Sequence, residues 1–129
     1  MDIHYVKDKD GKKMFSFTRY DYKESKDGTF IDGGFEYTRT NSQIYKDTIE
    51  NLIEDIREVF IWGSRTDKEG NPLKSVKYHY LKDLTTGHII NILAYFTENI
   101  TEKQHITETW KAIHLIFLHE LKYRHEKNI

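Results

Sequence analysis

Seven histidines and twenty-one carboxylates supply the groups in this chain that could do acid–base or metal chemistry, and there is no cysteine. Without thiols there is no disulfide framework, no thiolate nucleophile and no thiolate zinc site. A helical zinc hydrolase places two histidines four residues apart with a glutamate between them. No pair here has that form: His114 and His119 are five apart and point to different faces of a helix. His105, His114, His119 and His125 therefore read as helix-flank or solvent-facing residues, and no metal is expected. Nucleophilic catalysis needs an activated hydroxyl or amine, yet no Gly-x-Ser-x-Gly elbow, Ser-x-x-Lys or glycine-rich phosphate loop occurs. Gly63-Ser64 is half an elbow. The carboxylate pairs Glu54/Asp55, Asp21/Glu24 and Asp32/Glu36 lack a spacing that demands a shared site and read as solvated groups. Binding, not catalysis, is the expectation.

The residues suited to binding are more suggestive. In Asp32-Gly33-Gly34, two adjacent glycines let backbone N–H groups approach a ligand, although such a tripeptide also makes an ordinary turn. Arg39 and Arg65 stand at predicted strand ends, where a guanidinium can grip a phosphate in bidentate fashion or remain a surface charge. Trp62, beside Gly63, suits either a stacking platform for a base or a core position. Arg57 and Arg124 fall on predicted helices, where Glu54 and Glu120 are the pairing partners that helical spacing offers. Tyr5, Tyr20, Tyr22, Tyr37, Tyr78 and Tyr80 crowd the predicted strands, a composition that suits interfaces and strands alike.

Periodicity supplies the elements that must position these groups. Residues 3–6 and 14–22 read as strands flanking a Lys9-Asp10-Gly11-Lys12 turn, and Asp27-Gly28 makes a second reversal. After Asp32-Gly33-Gly34, Phe35, Tyr37 and Arg39 fall on one face of a further strand. From Asp47 the period lengthens: Ile49, Leu52, Ile53, Ile56, Val59 and Phe60 predict a helix, with Asp47 as N-cap and Glu50 as its capping-box partner. Residues 61–64 and 76–80 predict strands around the loop 65–72. Thr85 or Thr86 caps a helix carrying Ile89, Ile92, Leu93 and Phe96. Thr101 and Gln104 form a capping box before Ile106, Trp110, Ile113, Phe117 and Leu121. This last helix spans about twenty residues, roughly 30 Å, long enough for an overhang to pack on another subunit.

The expected fold class is α+β, one domain over 1–129: an N-terminal antiparallel sheet with one intervening helix, then two C-terminal amphipathic helices. Twenty basic against twenty-one acidic residues lack the basic excess of a protein that coats long nucleic acid. The first twenty residues carry Asp2, Lys7, Asp8, Lys9 and Asp10 in place of a signal's apolar region, and no apolar run approaches membrane-spanning length. A cytoplasmic protein with no membrane partner is the expectation.

Three blocks, Arg19-Tyr20-Asp21-Tyr22, Asp32-Gly33-Gly34-Phe35-Glu36-Tyr37-Thr38-Arg39 and Ile56-Arg57-Glu58-Val59-Phe60-Ile61-Trp62-Gly63, resemble a family of small, mostly uncharacterised tailed-phage proteins. Gly70-Asn71-Pro72-Leu73-Lys74, Leu81-Lys82-Asp83-Leu84-Thr85, His88-Ile89, Ile92-Leu93 and Glu120-Leu121-Lys122-Tyr123-Arg124 extend the resemblance to 19–124. That family usually has His where this chain has Tyr20, and Gly before Lys in the middle loop, so a different specificity follows if those positions touch ligand. The layout is also similar to that of the Thoeris anti-defence sponges, phage proteins that bind the cyclic ADP-ribose signal made by bacterial TIR enzymes. The resemblance implies sequestration of a cyclic nucleotide without cleavage and without a cofactor, in the cytoplasm of an infected host. It also implies a pocket shared between subunits, and dimers assembling into hexamers. For a pyrophosphate and an adenine, the candidate ligand-binding residues are Arg39, Arg57, Trp62, Arg65, His88 and Arg124. Two other readings stay open: a protein-binding inhibitor of a host enzyme, and a metal-dependent phosphodiesterase using His88 and a carboxylate.

Overall fold

The computed structural model describes residues 1–99 and 107–129. Their architecture is α+β: eight short strands in three antiparallel sheets, one intervening helix, and two C-terminal helices. The chain contacts group into two compact units, one of Met1–Leu52 with Thr107–Ile113, the other of 53–99 with His114–Ile129.

In the first unit, β1 (Asp2–Lys7) lies between β2 (Lys13–Met14) and β6 (Tyr45–Thr48), antiparallel to both. A second sheet orders β3 (Lys23–Glu24), β4 (Phe30–Asp32) and β5 (Arg39–Thr40). Ile3, Tyr5 and Val6 of β1 are buried, and Val6 clusters with Met14 and Ile31. An aromatic series runs from Tyr45 through Tyr5, Phe15 and Phe17 to Phe35, neighbouring centroids 5.5–6.0 Å apart.

Two reversals of this unit, and one in the second, share one construction. In Asp8-Lys9-Asp10-Gly11, Ser25-Lys26-Asp27-Gly28 and Asp67-Lys68-Glu69-Gly70, the glycine N–H donates to the carbonyl three residues back, at 3.0–3.1 Å. The carboxylates of Asp8 and Asp67 then accept two further backbone N–H groups each. The Asp10-Gly11 and Asp27-Gly28 turns thus lie where the sequence puts them, but the strands around the second differ. The extended strand expected over 14–22 stops at Met14, because the Asp21 carboxylate takes the Phe17 N–H and a turn closes from Asp21 N–H to the Thr18 carbonyl. The strand that pairs with β4 across the Asp27-Gly28 turn begins only at Lys23.

The strand expected through Phe35, Tyr37 and Arg39 is also corrected. Residues 33–37 form a turn, with Gly33 and Gly34 at φ of 84° and 65° and the Tyr37 N–H donating to the Gly33 carbonyl at 3.2 Å. Ladder pairing resumes only at Arg39. Helix α1 (Ile49–Val59) starts where the period changes, but its cap is Thr48, whose Oγ1 accepts the Asn51 N–H at 3.2 Å. Asp47 is the penultimate residue of β6, and its carboxylate accepts from Thr48 N–H and from the Asn51 amide.

In the second unit, the two strands expected around the middle loop pair as an antiparallel hairpin, β7 (Ile61–Thr66) with β8 (Pro72–Tyr80), both longer than expected, with an irregularity in register between Ser64 and Thr66. A single 3-10 turn, Leu81–Asp83, leads to α2 (Thr86–Asn99), which Thr85 caps by accepting the His88 N–H. Helix α3 (Glu108–Lys127) is twenty residues long and is capped by Thr107. The capping box expected at Thr101 and Gln104, with His105 and Ile106, lies outside the described residues. Ile53, Ile56, Phe60, Leu81, Leu84, Ile89, Ile92, Phe96, Ile116 and Phe117 form this unit's buried apolar set. No helix among the described residues is long and apolar enough to cross a membrane.

Candidate functional site

Two turns of the first unit meet backbone to backbone. Ser16, 1% exposed, donates its hydroxyl to the Asp21 carbonyl at 2.6 Å and accepts the Gly34 N–H at 2.9 Å. This one side chain ties the 18–21 turn to the 33–37 turn. A Cβ on Gly34 would lie 2.7 Å from the Thr18 carbonyl carbon, and one on Gly33 only 1.9 Å from the Tyr37 oxygen. Both positions need glycine for space as well as for their left-handed φ. Thr38 completes the brace: its hydroxyl donates to the Gly34 carbonyl at 2.7 Å, so the His4 Nδ1–H, 3.0 Å away, donates to Thr38. Burial, and then Lys46, lower the pKa of His4, which favours this neutral donor.

The approach of the two turns leaves a recess of about 510 Å3 lined by Arg19, Tyr20, Gly33, Tyr37, Thr38 and Arg39. Tyr20 is 90% and Tyr37 60% exposed. The Arg19 guanidinium carbon sits 5.9 Å from the Tyr20 ring centroid and 5.2 Å from that of Tyr37. Arg39 donates its Nε–H to Asp32 at 2.7 Å, an ion pair across the β4–β5 ladder at the position where the two residues face each other. Cations, phenol rings and a glycine-opened backbone thus share one concave surface, which suits a phosphate-bearing ligand.

Of the six candidates named from sequence, only Arg39 lies in this recess. The other five belong to the second unit. Arg57 and Arg124 come together, but on Glu120, which is fully buried. Arg57 donates through Nε and Nη2 at 2.9 and 3.1 Å, Arg124 through Nε at 2.7 Å. Arg57 therefore pairs with Glu120 and not with Glu54, and that carboxylate raises its pKa. Arg124 spends its remaining donors on Thr86 Oγ1 and the Leu81 and Lys82 carbonyls. Both guanidinium groups hold the fold together here.

Trp62 packs into an aromatic cluster, 5.2 Å from Phe117 and 6.1 Å from Phe96. Arg65 is exposed at the irregular stretch of the hairpin. His88 is 6% exposed, and its Nε2 lies 3.1 Å from Ser64 Oγ. Ser64 donates its own proton to the Thr66 carbonyl at 2.7 Å, so His88 is the donor in this pair and is not placed to activate the serine. Burial, followed by His79, lowers the His88 pKa. No cluster of three or more His, Asp or Glu residues is arranged to hold a metal among the described residues.

Arg19, Tyr20 and Tyr37 stand outside the six candidates: the sequence offers Tyr20 and Tyr37 only as strand or interface tyrosines and gives Arg19 no role of its own. Their signal is the Asp32-Gly33-Gly34 tripeptide together with an Arg-Tyr pair, which become neighbours only when two turns pack. The chain matches no protein-family model, no curated protein and no solved structure.

Proposed function

We propose that this protein is a phage-encoded anti-defence binder that sequesters a cyclic nucleotide immune signal without cleaving it. The signal is a cyclic ADP-ribose isomer or a cyclic oligonucleotide, captured in the cytoplasm of an infected bacterial host by a homo-oligomer. The observation that carries this reading is the recess in which Arg19 and Arg39 stand beside Tyr20 and Tyr37. Charge-assisted donors are what the phosphates of a nucleotide require, and the exposed rings beside Arg19 help to hold its guanidinium there. A binder that withholds a signal needs neither a nucleophile nor a metal. Titrating the protein with cyclic nucleotides, denaturing the loaded complex and recovering the nucleotide tests this: intact ligand is expected, and turnover contradicts sequestration.

A second reading, inhibition of a host enzyme by direct contact, is favoured by the outer face of the β7–β8 hairpin. There Ile61 opposes Tyr80 and Gly63 opposes Tyr78, and Ile61, Tyr78 and Tyr80 are 48%, 72% and 45% exposed. Substituting Tyr78 and Tyr80 by Ser would abolish a stoichiometric complex with such an enzyme and leave nucleotide binding intact.

A further inference from the structure

The rings and the cations of the recess are not equally available to a ligand. Both exposed tyrosines face the same group, the guanidinium of Arg19. Ring contacts of this kind consume none of the five N–H donors of a guanidinium, which stay available to an oxyanion. Arg19 makes no hydrogen bond or ion pair among the described residues, and Arg39 uses only Nε, on Asp32. Asp32 also offsets the charge of Arg39, which leaves Arg19 as the uncompensated cation of the recess. A base inserted between Arg19 and either ring would displace the cation that a phosphate most needs, so on the ring faces turned toward Arg19 base stacking and phosphate binding compete.

We infer that the recess recognises its ligand through phosphate and tolerates any base, and that Tyr20 and Tyr37 are positioning residues that hold Arg19 and do not stack on the nucleobase. This assignment rests on the nucleotide-binding reading above and narrows it to a ligand class: phosphate-bearing nucleotides of purine or pyrimidine alike.

Calorimetric titration of the full chain with ADP, GDP, CDP, UDP and adenosine tests it. The four diphosphates are expected to bind within about threefold of one another, and adenosine to give no heat, since charge-assisted bonds carry the affinity. Arg19→Gln should weaken all four by about tenfold or more, the scale of one lost charge-assisted contact. Tyr37→Leu should weaken all four equally, whereas Tyr37→Phe, which keeps the ring, should retain affinity. Purines binding more than about tenfold tighter than pyrimidines, the scale of base stacking, would overturn the assignment. So would binding of adenosine, an unaffected Arg19→Gln variant, or failure of every diphosphate to bind. Diphosphate binding without any cyclic-nucleotide binding leaves this assignment standing and ends the sequestration reading. Cyclic nucleotides bound with strict base preference do the reverse.

Discussion

Arg19 on one side and Arg57 and Arg124 on the other have opposite fates, and the difference is the carboxylate each one meets. Arg19 meets none and stays exposed against two rings, whereas Arg57 and Arg124 converge on the fully buried Glu120. One carboxylate between two guanidinium groups leaves an excess positive charge, tolerated because Arg124 has three further acceptors and Arg57 lies 4.6 Å from the Tyr123 ring. Removing the carboxylate strands both cations. Glu120→Gln should destabilise the protein by about 3–5 kcal/mol, as breaking a buried pair generally does, measured by the urea midpoint. Sequence spacing found the Arg124–Glu120 pair, which lies within one helix turn. It missed Arg57–Glu120, since sixty-three residues separate the partners and only packing joins them. The same limit hid Arg19, Tyr20 and Tyr37, each an ordinary exposed residue until its turn meets the other.

Hydrophobic periodicity made the helices and the hairpins legible. α1 repeats its apolar residues at helical spacing, Val76, Tyr78 and Tyr80 alternate with Lys77 and His79 in the sequence of β8 although its burial does not follow that alternation, and Thr85 announces α2. Less legible was the chain between 14 and 40, where side chain to backbone bonds from Ser16, Asp21 and Thr38 replace ladder pairing. Alternation cannot register such bonds. The turn at 33–37 therefore looked like a strand, although its two glycines signalled a special backbone. Gly34→Ala combines a left-handed φ with a contact 2.7 Å from the Thr18 backbone. It should cost about 1–3 kcal/mol of stability for the strained backbone and lower ligand affinity, read by urea denaturation and calorimetry on the same sample.

Two histidines brace separate elements in their neutral form: His4 from β1 to Thr38, and His88 from the first turn of α2 to Ser64 in the hairpin. Both have pKa values below the ordinary 6.5, chiefly through burial. Below 6.5 the unfolded chain binds more protons at these sites than the folded one, so stability should rise with pH through this window and fall as pH drops below 6.5. Urea midpoints at pH 7.5 and 5.5 check the sign. His88→Gln, which keeps a donor for Ser64 and cannot charge, should reduce the difference between them.

At the scale of the whole molecule, a net charge of −1 and a cysteine-free, α+β chain leave ligand capture to local features, not to a global field. The recess supplies such a feature within a single unit, with both cations near the surface, so its affinity should fall as salt rises from low to physiological strength. The measurement that tests the central claim most directly is calorimetric titration of the purified protein with cyclic ADP-ribose isomers and cyclic dinucleotides, followed by chromatography of the recovered nucleotide. Saturable binding that Arg19→Gln and Arg39→Gln each weaken, with the ligand recovered intact, is the predicted result; absence of heat with every one of these nucleotides, or recovery of cleaved product, would contradict it.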